Sequence, residues 1–119
     1  MRRRILVVDD DSMNLVRTKM ILGKYYDVLF AESGKEALDK LKSEKLDLVL
    51  LDIEMPEMSG IETFEHMKDI PVEIPVIFLT ASGDEDDVKN AIKLGAVNYL
   101  KKPFQPHELM RRVAKEFEI

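Results

Sequence analysis

Acidic side chains stand where apolar runs end in this chain, and a threonine and a lysine stand at the ends of two others. Arg4-Ile-Leu-Val-Val runs into Asp9-Asp10-Asp11, and Asp47-Leu-Val-Leu-Leu ends on Asp52. Pro75-Val-Ile-Phe-Leu ends on Thr80, and Val97-Asn-Tyr-Leu runs into Lys101-Lys102-Pro103. If one edge of the fold gathers those ends, several carboxylates meet a hydroxyl and an ammonium. Two like charges 4 Å apart repel by about 4 kcal/mol at an effective dielectric near 20, so such a cluster calls for a cation or for bound protons. Hard oxygen ligands with room for water suit Mg2+, which takes few carboxylates and completes its octahedron with water and phosphate oxygens. Lys102 is a point charge suited to phosphate, and Thr80 can donate to a phosphoryl oxygen. Together these types describe phosphoryl transfer, with a carboxylate as candidate nucleophile.

The elements that would gather them follow from periodicity. The runs at 4–9, 27–31, 47–52, 75–80 and 97–101 are mostly continuous in apolar character, as in strands buried on both faces of a parallel sheet. Helical spacing fills the intervals: Met13, Val16 and Met20; Gly34, Ala37, Leu38 and Leu41; Ile61, Phe64 and Met67; Val88, Ala91, Ile92 and Gly95; Met110, Val113, Ala114 and Phe117. Ser33/Glu36, Ser59/Glu62 and Ser82/Glu85 have capping-box spacing, Ser12 can cap the first helix, and Pro106 suits the first turn of the last. Five strand–helix units predict an α/β fold, (βα)5, doubly wound around a parallel sheet with helices on both faces. Ligands of such sheets sit at the carboxyl ends of the strands.

Composition narrows the options. The chain has 119 residues, 18 Lys+Arg against 23 Asp+Glu, a formal charge of −5 and 45% hydrophobic residues, which fits a single domain spanning 1–119. It contains no cysteine, so disulfides, zinc–thiolate sites, iron–sulfur clusters and thiol nucleophiles are excluded. The basic start Arg2–Arg4 is followed by too short an apolar stretch for a secretory signal, and no run approaches the ~18 apolar residues of a membrane span. A cytoplasmic domain that binds neither membrane nor nucleic acid directly is the expectation, since net acidity offers nothing to a phosphate backbone.

Val7-Val8-Asp9-Asp10, Leu51-Asp52-Ile53-Glu54-Met55-Pro56 with Ser59-Gly60, Thr80-Ala81, Gly95-Ala96 and Tyr99-Leu100-Lys101-Lys102-Pro103-Phe104 occur in that order. In these elements the chain resembles the receiver domain of two-component response regulators, chemotaxis regulators among them. The resemblance implies a flavodoxin-like strand order 2-1-3-4-5, for which a chemotaxis receiver is a standing example, and a cis Lys102–Pro103 peptide. It implies that Asp52 accepts a phosphoryl group from a sensor histidine kinase or phosphotransfer protein. Asp9, Asp10 and Asp52, with the backbone carbonyl of Glu54, would hold Mg2+, with Mn2+ or Ca2+ as substitutes. Thr80 and Lys102 would grip the phosphoryl group. Thr80 and Tyr99 would then switch the surface of the fourth helix, fifth strand and fifth helix toward an effector, as a monomer or a phosphorylation-linked dimer. The chain would be no enzyme beyond its own phosphorylation and dephosphorylation. The resemblance shows no output domain, which places the output in another chain or in sequence beyond these residues. Asn98, after Val97, departs from the acidic pair usual in winged-helix DNA-binding members.

Simpler roles compete at some positions. Asp11 suits a helix cap or a supporting group, Lys101 a solvated surface, and Tyr99 half-buried packing. His66 and His107 fall on helices among charged neighbours, away from the strand ends, and Met55 and Met58 suit loop packing. Asp84–Asp87 complements a helix N-terminus, and Arg111, Arg112 and Lys115 complement a C-terminal half. Two other functions fit parts of the pattern. Asp9-x-Asp11 also occurs in haloacid-dehalogenase-type phosphatases, and the same receiver pattern occurs in pieces of hybrid kinases or multidomain regulators. The scattered Gly23, Gly34, Gly60, Gly83 and Gly95 form no phosphate loop.

Overall fold

A computed structural model describes residues 2–71, 73–81, 85–93, 95–96 and 98–118, with the side chains of Glu85, Asp87, Val88 and Ala91 outside that description. The chain alternates β1 (Arg4–Val8), α1 (Ser12–Leu22), β2 (Asp27–Ala31), α2 (Gly34–Ser43), β3 (Leu48–Asp52), α3 (Gly60–Met67), β4 (Val76–Thr80), α4 (Glu85–Lys93), β5 (Asn98–Lys101) and α5 (Pro106–Glu116). All neighbouring strands pair in parallel, in the order β2-β1-β3-β4-β5. The architecture is the expected (βα)5 sheet, and Lys102–Pro103 is cis.

Strand parity divides the core in two. Ile5, Val7, Leu48, Leu50, Ile77, Leu79 and Leu100 point to one side, where Leu15 and Leu22 of α1 and Leu109 and Val113 of α5 cover them. Leu6, Val8, Val49, Leu51, Val76 and Phe78 point to the other, against Ala37 and Leu41 of α2 and Phe64 and Met67 of α3. Each such side chain contributes roughly 1.5–3 kcal/mol on burial. Burial on both faces is what makes the runs continuous rather than alternating.

Helix α1 departs from expectation. It buries Leu15, Thr18 and Leu22, while Met13, Val16 and Met20 are 73%, 49% and 74% exposed. Both trios share the spacing i, i+3, i+7, and a polar Thr18 masks the true face. In α5 the buried line is Leu109 and Val113, and Ala114 is exposed. Ile92 of α4 is 56% exposed, whereas Val88 and Ala91 lie outside the described side chains.

Capping follows the sequence in part. Asp11, not Ser12, caps α1 by accepting from the Met13 amide at 2.9 Å, because Ser12 already lies inside the first turn. Ser33 accepts from the Glu36 amide, but Glu36 reaches back to Glu32 rather than to Ser33, so this box is incomplete. Ser59 and Glu62 form the reciprocal pair. Ser82 lies outside the described residues. No helix among the described residues is long and apolar enough to cross a membrane.

Candidate functional site

Backbone pairing continues one residue past three strands and fixes the site's geometry. Asp9 N donates to Ala31 O at 3.1 Å, Ile53 N to Leu79 O at 3.0 Å, and Lys102 N to Thr80 O at 2.7 Å. Side chains alternate along a strand, so Asp9 follows Ile5 and Val7, Asp52 follows Leu48 and Leu50, and Lys102 follows Leu100 onto the α1–α5 side. The return loop after β3 closes tightly. Gly60 N donates to Ile53 O at 2.9 Å, and a Cβ on Gly60 would stand 2.2 Å from the Asp52 carbonyl oxygen. Only glycine permits that approach.

At this edge Asp9, Asp10 and Asp52 each offer an oxygen within 4.8 Å of the others; Asp9 and Asp52 are buried and Asp10 is exposed. The ammonium of Lys102 lies 2.9 Å from Asp9 Oδ2 and 3.4 Å from Asp52 Oδ2. Asp11 donates its amide to Asp9 Oδ1 at 2.9 Å while its carboxylate caps α1. Asp52 Oδ1 is buried with no hydrogen-bond partner among the described residues. A buried carboxylate oxygen without a donor is costly, and three convergent carboxylates suit a hard divalent cation. The donor set therefore fits Mg2+.

Electrostatics follow from this crowding. Burial pushes the Asp52 carboxyl up to about 7; Lys102 opposes the shift, and the charges of Asp9 and Glu54 add to it. Burial alone would pull Lys102 down, but the hydrogen bond to Asp9 and the field of Asp52 outweigh it and hold its pKa above the ordinary value.

The resemblance implies a metal ligand in the Glu54 backbone carbonyl and a variable position that modulates phosphate lifetime in its side chain, but it does not say what the carboxylate touches. Oε1 accepts from the Thr80 hydroxyl at 2.8 Å and Oε2 from the Ala81 amide at 3.3 Å. Burial pulls this carboxyl up, but these two donors outweigh it and keep it below the usual range. The signal is present in Asp52-x-Glu54, since a two-residue offset from a strand end returns to the same side.

Other candidates lie apart. Tyr99 is 38% exposed on β5, and His66, His107 and Lys101 are exposed. Arg112 is not mere helix-end decoration: its Nη1 donates to Asn98 Oδ1 at 2.8 Å and to the Tyr99 carbonyl at 2.9 Å, tying α5 to β5. Beside the site, a cleft of ≈ 380 Å³ lies between α1 and the end of β5, lined by Asn14, Arg17, Thr18, Lys102, Pro103 and Phe104.

A parallel 2-1-3-4-5 sheet carrying a carboxylate cluster, a hydroxyl and a lysine at its carboxyl edge defines a class of phosphoryl-handling signalling domain. The chain belongs to the response regulator receiver domain family, whose model matches residues 5–114. It is 41% identical over 119 residues to the transcriptional regulatory protein CrdR of Helicobacter pylori, covering 98% of this chain and 56% of that one. It is 45% identical over 111 residues to a probable cyclic di-GMP phosphodiesterase of Vibrio cholerae, covering 92% of this chain and 25% of that one. The crystal structure of a CheY-like response regulator receiver domain protein from Methanospirillum hungatei superposes with a TM-score of 0.92 at 32% identity, covering 98% of this chain and 94% of that one. The chain thus spans about half the length of the first relative and a quarter of the second. It is a receiver of two-component signalling, and the phosphatase alternative falls: Asp11, the second carboxylate of Asp9-x-Asp11, is spent on capping α1.

Proposed function

We propose that this receiver takes a phosphoryl group onto Asp52 from the phosphohistidine of a sensor kinase or phosphotransfer protein in the cytoplasm. The observation that carries the assignment is the unpartnered, buried Asp52 Oδ1 set beside Lys102. Asp52 attacks phosphorus, the P–N bond breaks, and the donor imidazole leaves with its electron pair, so an acyl phosphate forms. Asp9, Asp10, Asp52 and the Glu54 carbonyl would hold Mg2+, which supplies neutralising charge to the phosphoryl oxygens when bound. Lys102 holds one phosphoryl oxygen as a point charge, and Thr80 donates to another. The exposed Met13, Val16 and Met20 adjoin Phe104 in a groove beside the cleft, which supports approach of the donor from the α1 side.

Movement of Thr80 toward the phosphoryl group would bias Tyr99 and the α4–β5–α5 surface, a local charge event acting on a two-state element. The output follows through an effector protein or domain, or through dimerisation. The names of the two relatives, a transcriptional regulator and a phosphodiesterase, support receivers of this kind serving different outputs. The chain's own chemistry is confined to gain and loss of phosphate at Asp52.

Mass spectrometry after treatment with acetyl phosphate and Mg2+ tests the acceptor: a single phosphoryl adduct is expected at Asp52 and none there in Asp52→Asn. An unmodified wild type would overturn it. Asp9→Asn and Asp10→Asn should each weaken Mg2+ binding; unchanged affinity in both would remove the acidic cluster as the metal site.

A further inference from the structure

Helix α1 carries a polar line that neither the core nor the acceptor site accounts for. Asn14, Arg17 and Thr18 stand at i, i+3 and i+4, which groups them on one face of the helix. All three line the ≈ 380 Å³ cleft between α1 and the end of β5. Thr18 is 3% exposed, yet its hydroxyl makes no hydrogen bond among the described residues. Asn14 is half-buried and Arg17 exposed, and the side chain of neither has a hydrogen-bond or ion-pair partner among the described residues. A buried hydroxyl without a partner is costly, and a valine of similar shape would carry no such cost. Leu79, Pro103 and Phe104 supply apolar walls to the same cleft. Asp9 also borders it, but its carboxylate is taken up by Lys102 at 2.9 Å and by the Asp11 amide. The uncommitted donors are therefore those of α1, and the charge they offer is positive.

Apolar walls with a few convergent polar groups are the usual form of a small-molecule site, and this volume falls in the usual range. A guanidinium with free donors selects a planar anion that can accept two parallel hydrogen bonds. We propose that the cleft is a second site on this receiver, for a small organic carboxylate whose apolar body lies on Pro103 and Phe104. Arg17 pairs with the carboxylate, and Asn14 and Thr18 donate to the same ligand. Lys102 borders both this cleft and Asp52. Resting on the acceptor role of Asp52, that shared cation makes the ligand a regulator. Carboxylate and phosphoryl group compete for one ammonium, so each weakens the other by the same factor.

Benzoate is the probe, with benzamide as its uncharged match, and binding is followed by NMR at the Asn14 side-chain amide and the Phe104 ring. Benzoate should shift both saturably, with a dissociation constant of about 1–10 mM, as suits about nine non-hydrogen atoms at ordinary ligand efficiency. Benzamide should bind about fivefold more weakly or worse, since the charge-assisted pair is lost. Arg17→Ala should weaken benzoate about tenfold and Thr18→Val about threefold, and Arg17→Lys should recover only part of the loss because an ammonium lacks the fork. These variants should still label at Asp52 with acetyl phosphate and Mg2+ as wild type does, which controls for folding. With beryllofluoride bound as a phosphoryl mimic, benzoate should bind about fivefold more weakly, and benzoate should raise the half-saturating beryllofluoride concentration by the same factor. The carboxylate site is overturned by the absence of a saturable shift, by benzamide binding as tightly as benzoate, or by binding that persists undiminished in Arg17→Ala and Thr18→Val. Benzoate affinity untouched by beryllofluoride, in a protein that labels at Asp52, would overturn the regulation. A wild type that binds benzoate as stated but takes no label at Asp52 would overturn the acceptor reading and leave the carboxylate site standing.

Discussion

On one flank of Asp52 the polar groups are extensions of the sheet, and on the other they hang from a loop. Lys102 continues the β4–β5 ladder and is paired with Asp9, itself the continuation of β1 and braced by the Asp11 amide. Glu54 follows β3 onto an exposed loop, and its carboxylate reaches across to Thr80 and Ala81. A ladder resists rearrangement because backbone bonds on each side must break together, whereas a loop side chain needs only a rotamer change. The first flank therefore supplies a fixed countercharge to Asp52, and the second a like charge on a movable side chain. That division suits a site that must stay assembled while its occupant changes.

The largest break in this contrast should come from Lys102→Ala. Loss of the fixed cation is expected to slow acetyl phosphate labelling by roughly 10²–10³-fold, the usual scale for removing one preorganised stabiliser of developing charge. It also leaves the buried carboxylates of Asp9 and Asp52 without their cation, which should cost about 2–3 kcal/mol in urea unfolding at pH 8. Lys102→Arg should not restore the rate, since a planar fork does not reproduce a compact ammonium. Labelling within threefold of wild type in Lys102→Ala would show that the sheet-borne flank is not the essential one.

The next effect concerns pH in metal-free buffer. The Asp52 carboxyl is raised from 3.8 to about 7 in the folded chain, so the folded state binds the extra proton between those values. Stability contributed by that proton is full below pH 4 and is lost as pH rises toward 7 and above. Water at the rim screens part of the shift, which leaves about 2 kcal/mol. Asp52→Asn should accordingly be more stable than wild type by about 2 kcal/mol at pH 8, with the difference shrinking toward pH 4. Saturating Mg2+ should stabilise wild type at pH 8 and leave Asp52→Asn nearly unchanged. Chemical denaturation at several pH values, with and without Mg2+, measures both; a wild type more stable than Asp52→Asn in metal-free buffer at pH 8 would contradict the crowding.

Legibility in the sequence differs between the same two flanks. Runs such as Leu48–Asp52 announce themselves by continuous hydrophobicity, and their end residues inherit a position from strand parity, so the places of Asp9, Asp52 and Lys102 follow from the apolar pattern alone. Thr80 is legible for the same reason. For Glu54 the two-residue offset from the strand end gives its side but not its partners, and the resemblance marks its side chain only as a variable position that modulates phosphate lifetime. Helix α1 shows the complementary failure: Met13, Val16 and Met20 are more apolar than the buried Leu15, Thr18 and Leu22 trio, and spacing cannot say which face meets the sheet. Asn98 and Arg112 are illegible as a pair because their contact joins β5 to α5 across the fold.

A smaller test acts on the bracing of the fixed flank. Asp11→Ala removes the α1 cap and should lower stability by about 1 kcal/mol. The Asp11 amide remains to hold Asp9, so Mg2+ affinity should change by less than about threefold. A Mg2+ affinity lowered tenfold or more in Asp11→Ala would mean that its carboxylate supports the metal site directly and not only through the helix.

The smallest effect on stability should belong to the loop-borne flank. Glu54→Ala deletes the hydrogen bonds to Thr80 and Ala81, but Glu54 is exposed, so water can replace the lost acceptor there. It also removes one of the negative charges that crowd Asp52, an offsetting gain at neutral pH. The two terms nearly cancel, and unfolding free energy should stay within about 0.5 kcal/mol of wild type, as for ordinary surface positions. The residual should carry a pH signature: less repulsion lowers the Asp52 pKa, so Glu54→Ala should gain on wild type as pH rises from 5 to 8 in metal-free buffer. A loss of 2 kcal/mol or more, constant across that range, would make Glu54 a fixed structural strut and erase the difference between the two flanks.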